Sequence, residues 1–332
     1  MSTSLDPVQA PISVPEPAEP LAAVPIADPV QLPRQRSATE AGSGAIVSNT
    51  DRRRPMVRHG QRVLNALLLV ALVIFGLGPL VWLIKAGITP TQDTLRTPMS
   101  LWPHGIAWSN LSVAWTTMDL QRSMINTLVI AAGAWFIQLL VAATGGYVLS
   151  VLRPAYARFV TAAVLATLLV PTVVLLVPLY LTVLDPPLVH HSLINSFWAL
   201  WLPDGANAFN VVLVKRFFDS LPREIFEAAK VDGAGPFRLF FSVVIPMSRP
   251  ILGVVSVFSI IAAWKDFLWP LLVLPDPTKQ PLSVRLPVLA GSVDLGVLLA
   301  GLLISTIVPV VLFLLVQRLF LRGAGLGGAL KG

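Results

Sequence analysis

Six long apolar runs constrain this chain more than any other feature of its sequence. Each has roughly 20 residues, the length that a helix needs to cross the hydrocarbon core of a bilayer. A helix also satisfies its own backbone hydrogen bonds, as lipid surroundings require. The composition agrees, because 55% of the residues are hydrophobic and only 12% are charged. We therefore predict an all-α polytopic membrane protein with six transmembrane helices, at residues 64–88, 125–149, 159–183, 193–217, 251–273 and 295–317.

Prolines interrupt the third and fourth of these segments, at Pro171, Pro178 and Pro203. Proline is tolerated in a membrane helix where neighbouring helices or cavity water satisfy the freed carbonyl groups. The interruptions fit broken helices around a translocation path. They fit simple kinks in a packed bundle equally well.

The lysines and arginines that flank the six segments are distributed unevenly between the two sides of the membrane. Sixteen lie on the side of the N-terminus and five on the other. Because these residues accumulate in cytoplasmic loops, we predict that both termini are cytoplasmic. The larger group is Arg52, Arg53, Arg54, Arg58, Arg62, Arg153, Arg158, Lys215, Arg216, Arg223, Lys230, Arg238, Arg249, Arg318, Arg322 and Lys331, and the smaller group is Lys85, Arg96, Arg122, Lys279 and Arg285.

Two domains follow from the hydropathy pattern. Residues 1–59 are rich in Pro and Ala and show no helical or alternating periodicity until a basic cluster near their end, so we predict a disordered cytoplasmic tail. Residues 60–332 form the predicted transmembrane domain. The chain has a net charge of +7, and its basic residues are concentrated in the loops on one side of the membrane, as described above. We therefore attribute this charge to membrane topology and expect no nucleic-acid partner.

The longest charged interruption of the apolar part lies at residues 222–250 and reads as two short helices joined by a turn. Pro222 suits the first position of a helix, where a missing N–H costs nothing. Gly233 suits a left-handed residue that ends this helix. Gly235 and Pro236 then suit the start of the next one. A helical hairpin that projects from a membrane domain is a surface for another protein to bind.

The same stretch resembles the cytoplasmic EAA loop of ABC-importer permeases, the family of binding-protein-dependent transport permeases. An ordinary amphipathic interfacial hairpin is the alternative interpretation. The resemblance implies that the loop couples the permease to an ATPase, and the matching residues are Glu227, Ala228, Ala229, Asp232, Gly233, Ala234, Phe240, Pro246 and Pro250.

Further stretches over residues 60–332 resemble the maltose-type permeases of carbohydrate importers. These are Asn126-Thr127, Pro178-Leu179-Tyr180, the run from Trp264 to Pro270, Pro309, Phe313, Gln317, Arg318 and the ending from Gly325 to Gly332. In this class the C-terminus reaches the ATPase pair, which implies that Gly328, Lys331 and Gly332 contribute to coupling. Lys265 stands where the family usually has asparagine, so a substrate role does not transfer to it.

The resemblance implies a type I ABC importer in the bacterial inner membrane. Its partners are a second permease subunit, two ATPase subunits, an extracytoplasmic sugar-binding protein and the lipid bilayer. ATP and Mg are bound by the ATPase, so no cofactor is expected in this chain. The implied mechanism is alternating access, in which closure of the ATPase dimer moves the coupling loops.

The residues themselves support no enzymatic chemistry. A phosphate-binding loop needs a Gly-Lys step, which the chain lacks. It has no cysteine, and its four histidines do not form a zinc-binding HExxH pattern, so we expect no metal site. This chain is therefore predicted to be a transport subunit whose energy comes from a separate protein.

Candidate residues for the solute path are Asn195, Ser196, Trp264, Lys265 and Asp266. Lys265 and Asp266 are the only ionisable residues that we assign to membrane depth, where charges are costly unless they pair or face water. Either they face a polar cavity or the second permease, or they form a structural ion pair or extend to the interface. A permease for a polyamine or glycerol phosphate, or a proton-coupled secondary transporter, is the alternative to a sugar permease.

Overall fold

A computed structural model of the chain describes residues 55–100 and 102–329, and every regular element in these ranges is helical. This confirms the all-α class. Most of the predicted tail, including Arg52, Arg53 and Arg54, lies outside the described residues. The α-helices are α1 (Pro55–Gly87), α2 (Thr91–Arg96), α3 (Ser109–Thr117), α4 (Leu120–Tyr147), α5 (Ala157–Thr167), α6 (Leu176–Leu184), α7 (Trp198–Gly205), α8 (Ala208–Asp219), α9 (Arg223–Val231), α10 (Pro236–Leu239), α11 (Ile245–Met247), α12 (Arg249–Lys265), α13 (Leu268–Val273), α14 (Leu282–Leu289) and α15 (Leu295–Ala329).

Three short helical segments of other types connect these helices. A π-helix, Val148–Leu152, continues α4, and a second π-helix, Phe240–Val244, continues α10. A 3-10 turn, Thr172–Leu175, leads into α6.

Two of the described helices are long and apolar enough to cross a membrane alone, namely His59–Gly87 and Leu120–Leu152. Two more spans result if bent pairs each count as one. These pairs are Ala157–Thr167 with Thr172–Leu184, bent by 101°, and Pro236–Met247 with Arg249–Lys265, bent by 78°. The membrane class is thus supported, while the count of six spans stays a prediction.

The fourth predicted segment differs from the helix that the structure forms there. Within this segment, no helix begins before Trp198. Pro203 lies inside α7, and not at the point where the segment is broken. The interruption follows Gly205, because the side chain of Asn207 accepts a hydrogen bond from the backbone N–H of Asn210 at 3.0 Å and so caps α8.

The fifth segment, predicted as one helix over residues 251–273, is also broken. Helix α12 ends at Lys265, because Asp266 takes an extended backbone conformation (φ −66°, ψ 122°). A separate short helix, α13, begins at Leu268.

Helix α4 is the central element of the residues from Val70 onward, and it packs against α7, α8 and α12. Glycines permit the closest approaches. The indole of Trp201 lies where a side chain on Gly133 would be, and Val214 crowds Gly146 in the same way. The backbones of these helices therefore come together at fixed points.

The outer surface of α1 is apolar along most of its length. Up to Leu69 the helix belongs to a separate N-terminal unit, and within that unit Leu67 and Leu68 are exposed. Beyond it, Leu72 and Phe75 are also highly exposed. Large exposed apolar side chains on a long helix are typical of contact with lipid or other membrane helices.

Candidate coupling hairpin and translocation path

The hairpin formed by α9 and α10 has the predicted turn. Gly233 has a φ of +79°, which confirms the left-handed conformation. The N–H of Ala234 donates to the carbonyl of Ala229 at 2.9 Å, and the N–H of Gly233 donates to that of Lys230 at 3.0 Å. Together these bonds form a Schellman motif that satisfies the last carbonyls of α9.

The start of α9 differs slightly from the prediction. Pro222 is the residue before the helix, with a ψ of 128°, and α9 begins at Arg223. The extended ψ of the proline explains why it caps the helix rather than starting it. Gly235 and Pro236 occupy the predicted N-cap and first helical positions of α10.

One face of the hairpin is built into the transmembrane core. Phe226, Leu239 and Phe240 are buried in an apolar cluster that includes Phe218 of α8. Tyr147, at the end of α4, packs its ring against Phe240 with centroids 4.9 Å apart. The hairpin is therefore held by helices from two different parts of the chain.

A hydrogen bond adds direction to this packing. The hydroxyl of Tyr147 donates to the carbonyl of Pro236 at 2.8 Å. It joins the end of α4 to the first residue of α10, so the second arm of the hairpin cannot rotate freely against α4.

Behind the hairpin, a cluster around Asp219 joins the end of α4 to the end of α8. The carboxylate accepts from Lys215 at 2.7 Å, from the hydroxyl of Ser150 at 2.7 Å and from Arg153 at 3.2 Å. Burial alone raises the pKa of Asp219, but these three partners outweigh it and hold the pKa below its usual range.

A small cavity of about 120 Å³ separates this cluster from α9. It is lined by Ser150 and Asp219 on the core side and by Phe226, Glu227 and Lys230 on the hairpin side. Helix α9 therefore rests on the core mainly through Phe226, with free space beside it.

The hairpin and the π-helix that follows it also expose large apolar side chains. Ile225, Val231, Phe237 and Phe241 all expose large side chains, Val231 by 88% and Phe237 by 82%. Isolated apolar residues on a surface need no explanation, but four within such a short stretch of chain indicate a surface that another protein covers.

The residues predicted for coupling fall into three groups. The exposed ones are Glu227, Ala228, Asp232 and Gly233 of the hairpin and Pro246 of α11, the half-buried ones are Ala229 and Ala234, and Phe240 is buried. Phe240 thus packs the hairpin against the core. Of the C-terminal residues, Gly328 continues α15, while Lys331 and Gly332 lie outside the described part of the chain.

Asn195 and Ser196, predicted for the path, lie in the segment before α7. Asn195 has a φ of +61°, its N–H donates to Val273 at 2.7 Å, and its carbonyl accepts from Lys279 at 2.7 Å. The hydroxyl of Ser196 accepts from the N–H of Trp198 at 3.3 Å. These contacts hold the segment against the loop after α13; a role in the path stays a prediction.

Trp264, Lys265 and Asp266 lie at the break between α12 and α13. Trp264 is half-buried against the cluster of α3, α14 and α15, and Lys265 is exposed. No ion pair joins Lys265 to Asp266 among the described residues, and both interpretations of these charges stay predictions. The carbonyl of Asp266 accepts from the hydroxyl of Ser283 at 2.6 Å, which ties the break to α14.

Asp204 is a residue that the sequence interpretation missed. It lies on α7, inside the fourth predicted segment. Lys265 and Asp266 are therefore not the only ionisable residues at membrane depth. Its carboxylate interacts electrostatically with that of Asp266. The two acids thus mark the breaks in two different segments, and the signal that could have found Asp204 was a charge within an apolar run.

A buried polar network at membrane depth was missed as well. The amide nitrogen of Asn210 and the hydroxyl of Ser259 both donate to the side-chain oxygen of Gln138 at 2.8 Å. These residues join α8, α12 and α4. Each is at most 3% exposed, and polar groups so deep in a bundle fix the register of the helices that they join.

Comparison with known proteins assigns the family. The model of the family described as "Binding-protein-dependent transport system inner membrane component" matches residues 142–324, which is more than half of the chain. The match includes the hairpin, the Asp219 cluster and both broken segments.

Similar curated proteins cover most of the chain. The diacetylchitobiose uptake system permease protein NgcG of Streptomyces coelicolor is 29% identical, over 80% of this chain and 85% of the relative. The melibiose/raffinose/stachyose import permease protein MelC of Bacillus subtilis is 30% identical, over 70% of this chain and 84% of the relative. The sn-glycerol-3-phosphate transport system permease protein UgpE of Pectobacterium atrosepticum is 27% identical, over 80% of this chain and 96% of the relative.

A solved structure has the same fold. It is a bacterial ABC transporter involved in the import of the acidic polysaccharide alginate, and its matching chain aligns with a TM-score of 0.68 at 21% identity. The alignment covers 82% of this chain and 99% of that one. Together with the family match, this makes the chain a member of the binding-protein-dependent transport system inner membrane components, the permease subunits of ABC importers.

Proposed function

We propose that this chain forms half of the translocation path of a sugar importer and couples that path to a separate ATPase through the α9–α10 hairpin. The observation that carries the proposal is the two-sided hairpin. One side is buried through Phe226, Leu239 and Phe240, and the other exposes Val231 and Phe237. A partner that binds the exposed side can displace the hairpin, and the buried side transmits this displacement to the core.

The contacts behind the hairpin suit this transmission. Tyr147 connects the hairpin to α4, and the Asp219 cluster connects α4 to α8. A displacement of the hairpin would therefore move both helices together. Helix α8 is the second half of the broken fourth segment, and its first half, α7, carries Asp204. The movement would therefore reach the break between α7 and α8.

The assembly that we propose contains this chain, a second permease subunit, two ATPase subunits that bind ATP and Mg, and an external sugar-binding protein. The ATPase dimer closes, the hairpins tilt, and the path changes from inward-facing to outward-facing. The C-terminal residues, including Gly328, Lys331 and Gly332, would add a second contact with the ATPase pair.

We propose further that both termini and the hairpin are cytoplasmic, as the excess of lysine and arginine on that side favours. Cysteines placed at Ala234 and at Thr278 test this. With an impermeant thiol reagent applied to intact cells, the cysteine at Thr278 should react and the one at Ala234 should not. Reaction at Ala234 alone would reverse the orientation.

A saccharide is the proposed solute. The printed names of two relatives refer to diacetylchitobiose and to melibiose, raffinose and stachyose, while a third refers to sn-glycerol-3-phosphate. Uptake of labelled saccharides and of labelled glycerol phosphate should be compared in cells with and without the gene. Gene-dependent uptake of glycerol phosphate alone would contradict the sugar proposal and leave the permease assignment intact.

The coupling role is tested with Val231→Asp, which places a charge in the exposed apolar face. Because Val231 is 88% exposed, this variant should fold and insert normally. It should lose the co-purifying ATPase and lose uptake. The matched control is Leu188→Asp, since Leu188 is 95% exposed in a loop distant in sequence from the hairpin. Retention of the ATPase by Val231→Asp would refute the docking role of this face.

A further inference from the structure

A second cavity opens where α5 begins, and residues of the Asp219 cluster form part of its lining. Its volume is about 640 Å³, within the range of known ligand pockets. Its charged lining residues are Arg153, Arg158, Lys215 and Asp219, and its apolar wall includes Ala162 and Leu165 of α5. The cavity thus combines a basic end with an apolar side.

The basic end carries more positive charge than the protein itself neutralises. Asp219 is the only acid in the lining and already pairs with Lys215 at 2.7 Å and Arg153 at 3.2 Å. Arg158 has no ion-pair partner among the described residues, and its side chain is exposed. The pocket therefore has a net charge of +2 and room for an anion.

The start of α5 adds to this attraction. The helix begins at Ala157 without a side-chain cap, and its positive end faces the same region as Arg158. A helix N-terminus favours an anion through its free N–H groups and its dipole. Arg158, in the first turn, places its guanidinium beside that end.

The apolar wall indicates what carries the anion. Along α5, Ala162 and Leu165 line the pocket. An adjoining cavity of about 490 Å³ shares Leu149 with the basic pocket and has no charged residue in its lining. An anionic group with attached hydrocarbon fits this arrangement, whereas a free inorganic anion would leave the apolar surfaces uncovered.

We propose that this pocket binds an anionic phospholipid, with its phosphate between Arg158 and Lys215 and its acyl chains along α5. Basic pockets between membrane helices on the cytoplasmic side commonly hold such head groups. Arg153 and Asp219 line both this pocket and the cavity behind α9. A bound phosphate would therefore lie next to the cluster that joins α4 to α8. The inference goes beyond transport itself and needs neither the ATPase nor a solute.

The test is native mass spectrometry of the full-length chain with equimolar phosphatidylglycerol and phosphatidylcholine. The wild type should retain phosphatidylglycerol preferentially. Arg158→Gln should lower the ratio of retained phosphatidylglycerol to phosphatidylcholine about fivefold, the usual effect of one cation near an anionic lipid. Arg158→Lys should keep the ratio. Arg238→Gln, which removes an exposed cation of α10 outside the pocket, should also keep it.

Four outcomes would overturn the proposal. The first is an unchanged ratio in Arg158→Gln, and the second is an equal loss in Arg158→Gln and Arg238→Gln, which would indicate a general charge effect. The third is displacement of the lipid by inorganic phosphate, which would assign the pocket to a free anion. The fourth is loss of the lipid when the co-purifying subunits are bound, which would assign it to an acidic residue of a partner.

Discussion

The two ends of α4 hold their neighbours by different means. At its C-terminal end, the hairpin is fixed largely by burial of Phe226 and Phe240 and by the ring of Tyr147. At its N-terminal end, the loop after α13 is fixed by hydrogen bonds. Asn126 donates to the carbonyls of Thr278 at 2.8 Å and Gln280 at 3.2 Å.

More hydrogen bonds hold that loop. The N–H of Leu282 donates to the hydroxyl of Thr127 at 2.9 Å, and Lys279 donates to the carbonyl of Asn195 at 2.7 Å. Hydrogen bonds to the backbone require set distances and angles, whereas apolar burial has no preferred direction. The loop is therefore held in one position. Helix α9, whose contact with the core is apolar, can tilt, while the second arm of the hairpin is tied to α4 by the hydrogen bond from Tyr147.

The largest effect should come from removing the apolar contact of α9. Phe226→Ala should destabilise the packing of the hairpin by about 3–5 kcal/mol, because it deletes a buried ring. Hydrogen exchange of the backbone amides in Arg223–Val231 should accelerate strongly, and uptake should be lost. Phe237→Ala, which removes an 82% exposed ring from the same hairpin, should leave exchange in α9 unchanged. Equal exchange in both variants would contradict the two-sided hairpin.

A smaller effect should follow from straining the turn. Gly233→Val forces a branched side chain into a φ of +79°, which costs about 1–2 kcal/mol even though no atom lies within 4 Å of the new Cβ. ATPase retention and uptake should both fall. Gly235→Thr serves as the control, because Gly235 has extended angles and equally open surroundings, and threonine is also branched but suits the N-cap of α10 as well as glycine does. If the two variants lose ATPase equally, the left-handed turn is not the cause.

At the other end of α4, Asn126→Ala should cost about 1 kcal/mol, the usual net contribution of a lost hydrogen bond. Hydrogen exchange should accelerate in residues 274–282 and stay unchanged in α9. Ser112→Ala is a suitable control, since its hydroxyl bonds only within its own helix. Faster exchange in α9 would show that the two ends are not independent.

The smallest effect concerns pH. Because its partners hold the pKa of Asp219 below the usual value, the cluster stabilises the fold above about pH 4, and this stabilisation is lost as the pH falls through the lowered pKa. Asp219→Asn should therefore lower the thermal midpoint of unfolding at pH 7, and its difference from wild type should shrink in acid. Ser112→Ala, which removes an uncharged hydroxyl that bonds only within its own helix, should differ from wild type by the same amount at each pH. If the difference in thermal midpoint between Asp219→Asn and wild type stays constant with pH, the charged cluster is not the source of that difference.

The hairpin was predictable from the sequence because its signals are local. A glycine with positive φ and a Gly-Pro helix start each depend on a few neighbouring residues. The breaks in α7–α8 and α12–α13 were not predictable in position. Pro203 is accommodated within its helix, Asn207 caps the start of α8, and Asp266 ends α12. Apolar composition alone does not distinguish a continuous span from a broken one.

The residues that meet only through tertiary structure were missed for a related reason. Asp219 and Ser150 lie far apart in the sequence, as do Gln138 and Ser259, and neither pair forms a motif. A polar residue within an apolar run indicates that a partner exists, but only the packing of α4 against α8 and α12 identifies it.

The two π-helical segments have a consequence for how the family can vary in length. Each contains one residue more than an α-helix would need over the same distance, which is how a single-residue insertion is accommodated. Val148–Leu152 follows Tyr147, and Phe240–Val244 begins with the ring that Tyr147 contacts. Deleting one residue from either segment would restore a regular helix and rotate everything beyond it by about 100°. Homologous chains that differ by one residue in Phe240–Val244 would hold the hairpin in a different direction relative to the helix that follows it.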